Sequence, residues 1–225
     1  MAIHISNYQE LRDLCREAGA TLVAVSKTKP SSEINSLYEL GQRDFGENYV
    51  QELADKKPEL PADIHWHYIG HLQSNKVKYI ASFVHLGHGV DGLKLLQEIN
   101  KQAAKHHRTI DCLLQVHIAR EETKFGLDEK ELEELISTVR NNAGEYANIR
   151  ITGFMGMGSF SEDPKVVRPE FRHLRQLYDH YASQQQSATV NLHTLSMGMS
   201  GDYRIALEEG SNMLRIGSLL FGSRN

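Results

Sequence analysis

Short apolar runs alternate along the chain with longer segments whose apolar residues recur every three or four positions. Eight runs read as strands: TLVAVS (21–26), RDFGE (43–47), IHWHYIG (64–70), FVHLGH (83–88), CLLQVHI (112–118), RITGFMG (150–156), HTLSMGM (193–199) and MLRIGSLLF (213–221). The intervening segments have helical spacing. In DEKELEELISTVRNN, Leu132, Leu135, Ile136 and Val139 share one face, and acidic residues crowd the first turn, where the helix dipole favours them. PEFRHLRQLYDHYASQQ opens on Pro169, a residue suited to a first helical position, and carries Phe171, Leu174, Leu177, Tyr178 and Tyr181 at helical intervals. Ahead of the first strand, NYQELRDLCREAG predicts an extra helix with Tyr8, Leu11, Leu14 and Cys15 as its apolar stripe.

Strand–helix alternation without a long Pro/Ser-rich linker implies a parallel sheet, and eight repeats within 225 residues suit a single-domain (β/α)8 TIM barrel spanning residues 1–225. A doubly wound open sheet would carry a Gly-rich dinucleotide turn after an early strand, and none is present. Barrel chemistry sits at the C-terminal ends of the strands. The residues to inspect are therefore Lys27 and Lys29, Gly46-Glu47-Asn48, Gly70-His71, His117 with Arg120, Met155-Gly156, Met199 to Asp202, and Arg215 to Gly217.

Charge and cysteine content narrow the class of function. With 25 basic and 29 acidic residues, the net charge of -4 offers no basic excess for nucleic acid. The N-terminus lacks the pattern of a signal peptide, and no apolar stretch has the length of a membrane span, so a cytoplasmic protein is expected; a monomer is the expected state. Cys15 and Cys112 form no CxxC pair and read as semi-buried free thiols.

The seventh and eighth units carry the most informative pair of segments, SMGMSGDYRIALEEG and MLRIGSLLFG, where barrels commonly bind phosphate. Ser200 and Gly201 just precede a helical run, so a hydroxyl and unpaired N–H groups can face an anion. Gly217 allows close backbone approach, and Arg215 offers a permanent charge. A plain serine cap with a turn glycine is the ordinary alternative. A strand-end lysine beside such a cradle suits a cofactor with an aldehyde and a phosphate arm, because lysine amines form Schiff bases with aldehydes. Pyridoxal 5'-phosphate has both parts. Burial at the strand end favours the neutral, nucleophilic amine of Lys27.

AVSKTKP, FGENYVQE, WHYIGHLQSNK, LSMGMSGD and RIGSLLFG, in this order and almost from end to end, resemble the motifs of the pyridoxal phosphate homeostasis proteins, a family related to the N-terminal barrel domain of bacterial alanine racemase. The resemblance implies a fold-type III barrel with the cofactor held as a Schiff base on Lys27. It implies phosphate contacts from Ser200, Gly201, Arg215 and Gly217, and Asn48 and Met155 as neighbours of the cofactor ring. It also suggests that the loop carrying Lys76 and Lys78 borders the cofactor mouth. Two segments depart from the family pattern, HLGHGVDG (85–92) and MGMGSFSED (155–163), which leaves loop contacts open.

Other readings compete. His65 and His67 alternate onto one strand face, as ligands of a barrel metal hydrolase do, but they lie at the start of their strand and no companion Asp/Glu–His set stands out; packed or surface histidines are the simpler reading, and no metal is expected. The acidic run KFGLDEKELEEL reads as a solvated helical turn rather than a partner patch. A racemase remains the enzymatic alternative. Racemases of the related fold draw a second acid/base from beyond the barrel, whereas this chain ends at Asn225, just after the eighth strand. The expectation is a protein that binds and hands over pyridoxal phosphate, possible recipients being apo forms of enzymes that use it, and so acts in vitamin B6 and amino-acid homeostasis.

Overall fold

The protein is described by a computed structural model covering residues 3–121, 125–161 and 163–222. Lys124 of the acidic run, Glu162 of the loop 155–163 and the terminal Asn225 fall outside the described residues. Eight parallel strands close into a barrel in sequence order: β1 (Thr21–Val25), β2 (Asp44–Glu47), β3 (His65–Tyr68), β4 (Leu86–Val90), β5 (Ile110–Gln115), β6 (Ile149–Met155), β7 (Val190–Ser196) and β8 (Met213–Ile216). Around them run α1 (Ile5–Glu17), α2 (Ser31–Glu39), α3 (Val50–Lys56), α4 (Leu93–Lys105), α5 (Glu129–Asn141), α6 (Pro164–Ala182), α7 (Tyr203–Glu208) and α8 (Ser218–Phe221). A 3₁₀ turn, Ser74–Tyr79, replaces a helix after β3. No helix among the described residues is long and apolar enough to cross a membrane.

Several expected boundaries shift for physical reasons. MLRIGSLLF is two elements: pairing of β8 with β1 stops at Ile216, Gly217 caps the break, and SLLF forms α8. The fourth strand lies further along than FVHLGH, at Leu86–Val90. Helix α6 begins at Pro164, with Asp163 capping the N–H of Lys165. Pro169 therefore sits inside the helix, at the loss of one backbone bond. Helix α5 is as the spacing predicts, closed by a reciprocal capping box between Asp128 and Glu131, with Leu132, Leu135, Ile136 and Val139 all buried. In α1, Tyr8, Leu11 and Cys15 are buried while Leu14 is only half-buried, and Asn7 Nδ2 donates to Leu219 O of α8 at 2.9 Å. Both cysteines are free and fully buried rather than semi-buried; burial pushes the Cys15 thiol up to about 11 and that of Cys112 higher still.

The period of two along each strand divides side chains between two layers. Leu22 and Ala24 join the large core between sheet and helices, while Val23 turns inward to meet Leu86, Leu113, Met155 and Met213 from four other strands. The same alternation carries Val25 and then Lys27 toward the inside at the C-terminal end of β1.

What holds that strand end is a buried ionic knot under it. Lys56 Nζ, on α3, donates to Glu47 Oε1 at 2.7 Å, to Glu52 Oε1 at 2.6 Å and to the carbonyl of Ser26 at 2.9 Å. Ser26 Oγ donates to the same Glu47 oxygen at 2.6 Å, and the N–H of Thr28 to Glu52 Oε1 at 2.6 Å. Thr28 needs that anchor, because its φ of 64° is in the left-handed region, which a β-branched residue disfavours. Burial raises the Glu47 carboxyl above its usual range, against the opposing pull of Lys56. Lys56→Met, which leaves the carboxyl buried without its counter-charge, is expected to cost about 3–5 kcal/mol, read from urea unfolding. In that variant the folded-state pKa of Glu47 rises further, so the folded chain holds a proton that the unfolded chain gives up, and stability falls as pH rises through that window. The deficit should therefore be larger at neutral pH than in mild acid, and Glu47→Gln added to Lys56→Met should recover part of it. An equal deficit at both pH values would show that Glu47 is not the source.

Candidate cofactor site

The C-terminal ends of the strands open into one cavity of about 800 Å³. Lys27, Asn48, Ser200, Gly201, Arg215 and Gly217 all line it, although they come from β1, β2, β7 and β8 and the loops that follow them. Lys29 lines it too, but its amine donates to the carbonyl of Phe221 at 2.8 Å and is tied to α8.

Asn48 is set in place by the segment after β3. Tyr68 Oη donates to the Asn48 carbonyl at 2.8 Å, and a side chain at Gly70 would stand 2.5 Å from that same oxygen, so only glycine admits this approach. The Asn48 side-chain oxygen is buried and has no hydrogen-bond partner. Asn48 lines the cavity, and an orphaned buried polar atom is costly unless a ligand satisfies it.

After β7 the chain turns sharply at Gly198, where φ is 99° and a Cβ would come within 2.6 Å of Ala206 Cβ. Asp202 Oδ1 accepts from the N–H of Met199 at 2.6 Å, and the N–H of Tyr203 donates to Met199 O at 2.9 Å, which closes the turn. The N–H groups of Ser200 and Gly201 are left without an acceptor among the described residues, and a Cβ on Gly201 would meet no protein atom within 4 Å. Ser200 Oγ lies 3.4 Å from the N–H of Gly217, joining this turn to the start of α8. Unsatisfied donors around open space suit an anion.

Arg215 is 4% exposed, a charge brought inside the barrel. It donates to the Ser196 carbonyl at 2.8 Å, to Ser196 Oγ at 2.6 Å and to the Gly156 carbonyl at 2.9 Å. Burial lowers its pKa to about 10, with Asp202 pulling the other way, so it remains protonated at neutral pH. Arg215 thus ties the ends of β6, β7 and β8 together as well as lining the cavity. Below it a polar column continues down the barrel, from Ser196 Oγ to His88 Nδ1 at 3.2 Å, His88 Nε2 to His67 Nδ1 at 2.9 Å and His67 Nε2 to Asp44 Oδ1 at 3.0 Å. Burial, with the Arg215 guanidinium nearby, holds the His88 pKa far below the usual histidine range. One proton per imidazole, each pointing toward Asp44, satisfies every link.

Met155 does not line the cavity; it packs in the inner cluster with Val23 and Leu113, and Met157, two residues on and again inward, lines the cavity instead. His117 and Arg120 are also absent from the lining, His117 Nε2 being bonded to Glu121 O at 2.9 Å. His71 and Lys76 border a smaller adjoining depression of about 420 Å³, which shares Asn48 with the main cavity. Lys78 borders neither. Sequence reasoning marked Glu47 and Gly70 as strand-end residues without their supporting roles, and missed Lys56, His88 and Ser196. For the last two, inward parity within HLGH and HTLS was the available signal.

Comparison with known proteins agrees with this geometry. Residues 4–225 match the family described as alanine racemase, N-terminal domain. A protein of Aquifex aeolicus named pyridoxal phosphate homeostasis protein is 40% identical over 222 residues, covering 96% of this chain and 94% of its own length. One of the same name from Escherichia coli strain K12 is 37% identical over 209 residues, covering 91% of this chain and 86% of its own. The solved structure of PipY from Synechococcus elongatus with pyridoxal phosphate bound is 30% identical, with a TM-score of 0.84 over 96% of this chain and 99% of that one. Alanine racemase from Bartonella henselae, at 17% identity and a TM-score of 0.67, shares the fold over 56% of its length. Matched almost end to end on a closed eight-stranded barrel, the chain belongs to the alanine racemase N-terminal domain family, among the relatives named pyridoxal phosphate homeostasis proteins.

Proposed function

We propose that this protein binds pyridoxal 5'-phosphate, with the amine of Lys27 holding the aldehyde carbon and the turn at Ser200–Gly201, joined by Gly217, holding the phosphate. The observation that carries this reading is the single cavity in which an inward strand-end lysine and unbonded N–H donors lie together. The residues fit the cofactor: the orphaned side-chain oxygen of Asn48 offers an acceptor to a polar ring substituent, and the space at Gly201 admits a phosphate oxygen. Bound pyridoxal phosphate supplies an aldehyde that condenses with amines and a ring that withdraws electrons from the carbon attached to them. Arg215 keeps its charge in the cavity floor and gives up its proton reluctantly, which disfavours deep electron withdrawal if it meets the pyridine nitrogen.

The role that fits best is holding and supplying the cofactor, in cytoplasmic vitamin B6 and amino-acid homeostasis, by a monomer without strong activity of its own. A two-base racemase needs an acid/base group on each face of the substrate carbon. Among the described residues lining the cavity, the titratable groups are Lys27, Lys29, Asp202 and Arg215, with no tyrosine, histidine or cysteine. Transfer to apo-enzymes is favoured by the cavity's surroundings: Tyr49, Tyr79, Phe125 and Phe160 are exposed on connections that follow β2, β3, β5 and β6, at the same end of the barrel. Holoprotein that is yellow, yet leaves the configuration of added amino acids unchanged on chiral chromatography, supports this reading; steady turnover would make the protein a racemase.

Borohydride reduction of the holoprotein followed by peptide mapping should place the pyridoxyl group on Lys27, and a label on Lys29 in the wild-type chain would overturn the assignment. Arg215→Gln should weaken cofactor binding about ten- to hundredfold, the equivalent of losing a charge-assisted contact of about 1.5–3 kcal/mol. Because the substitution also abandons three buried acceptors, the melting temperature of the apoprotein should fall as well. Unchanged affinity would remove Arg215 from the site.

A further inference from the structure

At the other end of the barrel, three residues that no cofactor contact involves are brought to one point. Asp44 opens β2, His67 lies on β3, and His85 directly precedes β4. Strand pairing assembles them: Asp44 is opposite His65 and Gly46 opposite His67, while the N–H of His85 donates to Trp66 O at 2.8 Å. One donor atom from each of Asp44, His67 and His85 lies within 4.8 Å of the others. We propose that Asp44, His67 and His85 form a binding site for a divalent transition-metal ion of the zinc class at the N-terminal mouth of the barrel.

The spacing supports coordination. With zinc–nitrogen and zinc–oxygen bonds of about 2.0–2.1 Å, neighbouring ligand atoms of a tetrahedral site stand about 3.3 Å apart. Asp44 Oδ1 is 3.0 Å from His67 Nε2, and 3.2 Å from Nδ1 of His65, whose ring stacks on that of His85 with centroids 4.5 Å apart. His65 thus stands ready beside the open position of the set. An ion in place of the proton shared by Asp44 and His67 parts that pair slightly and draws in the His85 nitrogen, which lies within 4.8 Å of both.

The support behind the ligands suits a metal once the column reverses its proton order. His67 is buried, and with an ion on Nε2 its proton sits on Nδ1 and is donated to His88 Nε2 at 2.9 Å, which fixes the ring, while His88 turns its own proton on Nδ1 toward Ser196 Oγ. His85 is exposed, giving an ion a path of entry. Two imidazoles and one carboxylate select zinc, nickel, copper or ferrous ions over magnesium and calcium, which take oxygen ligands. Neither buried cysteine takes part, so the set has no thiolate.

The experiment is calorimetric titration of the full-length apoprotein with zinc chloride, repeated with magnesium chloride, alongside thermal unfolding with and without zinc. Cobalt(II) chloride, whose visible absorption is intense only in tetrahedral surroundings, reports coordination directly. The proposal expects about one zinc per chain, a melting temperature raised by zinc but not by magnesium, and a tetrahedral cobalt spectrum. His85→Gln, at an exposed position, should weaken zinc binding by about tenfold or more and abolish the thermal shift, while pyridoxal phosphate affinity stays at the wild-type value. His106→Gln, an exposed histidine at the end of α4, serves as control and should change nothing. No zinc binding, binding equally strong in His85→Gln, or equal losses in both variants would overturn the site. Because zinc binding, the thermal shift and the cobalt spectrum are all read without the cofactor, failure there would leave the pyridoxal phosphate reading untouched.

Discussion

A closed parallel barrel has no edge, so every strand must commit alternate residues to a narrow interior, and everything chemical in this protein follows from that alternation. On β1 it puts Val23 in the inner cluster, Val25 at the cavity wall and Lys27 at its lip. On β8 the same parity sends Met213 into the cluster, Arg215 into the floor and Gly217 to the lip. A register slip of one residue on either strand would turn these groups toward the helices and bring Leu22 or Leu214 into the interior. Register, more than any single contact, therefore protects the site.

The interior is not uniformly apolar, and its polar half is ordered. A buried guanidinium is tolerated when its donors are satisfied, and Arg215 meets two carbonyls and a hydroxyl at the ends of β6 and β7. From that hydroxyl the column through His88 and His67 to Asp44 gives each buried imidazole partners on both sides, ending on a carboxylate near solvent. Such a chain is rigid because removing one member strands the polar atoms of its neighbours. It also links the floor of the cofactor cavity to the opposite mouth of the barrel through packed side chains.

The ends of the barrel differ in how they are supported. At the C-terminal end the functional groups stand on strand tips and short turns, and charged or tightly packed residues outside the cavity hold the backbone: Lys56 with Glu47 and Glu52 beneath β1, Gly70 against Asn48, and Gly198 against Ala206. At the N-terminal mouth the groups belong to the strands themselves or abut them, and the interior column supports them.

The eight-fold alternation of strand and helix was legible from hydrophobic period alone, because a parallel strand between two layers reads as an apolar run and its covering helix as a 3.6-residue repeat. The position of Lys27, Ser200, Gly201 and Gly217 at the cavity end of the barrel was legible as well, since strand-end position and turn-forming residues are properties of local sequence. Breaks inside apolar runs were not: whether SLLF continues β8 or coils into α8 depends on where pairing with β1 ceases, and Pro169 looked like a helix start because the real cap, Asp163 with Pro164, lies five residues upstream. Neither Met155 nor Met157 could be assigned to the cavity without knowing where β6 stops, and the companions of His67 stand 23 and 18 residues away along the chain, at Asp44 and His85. Local patterning determined what each segment is and which way its side chains alternate. Only the closure of the barrel decided which inward residues meet, because that depends on the register between strands distant in sequence, and no run of neighbouring residues contains it.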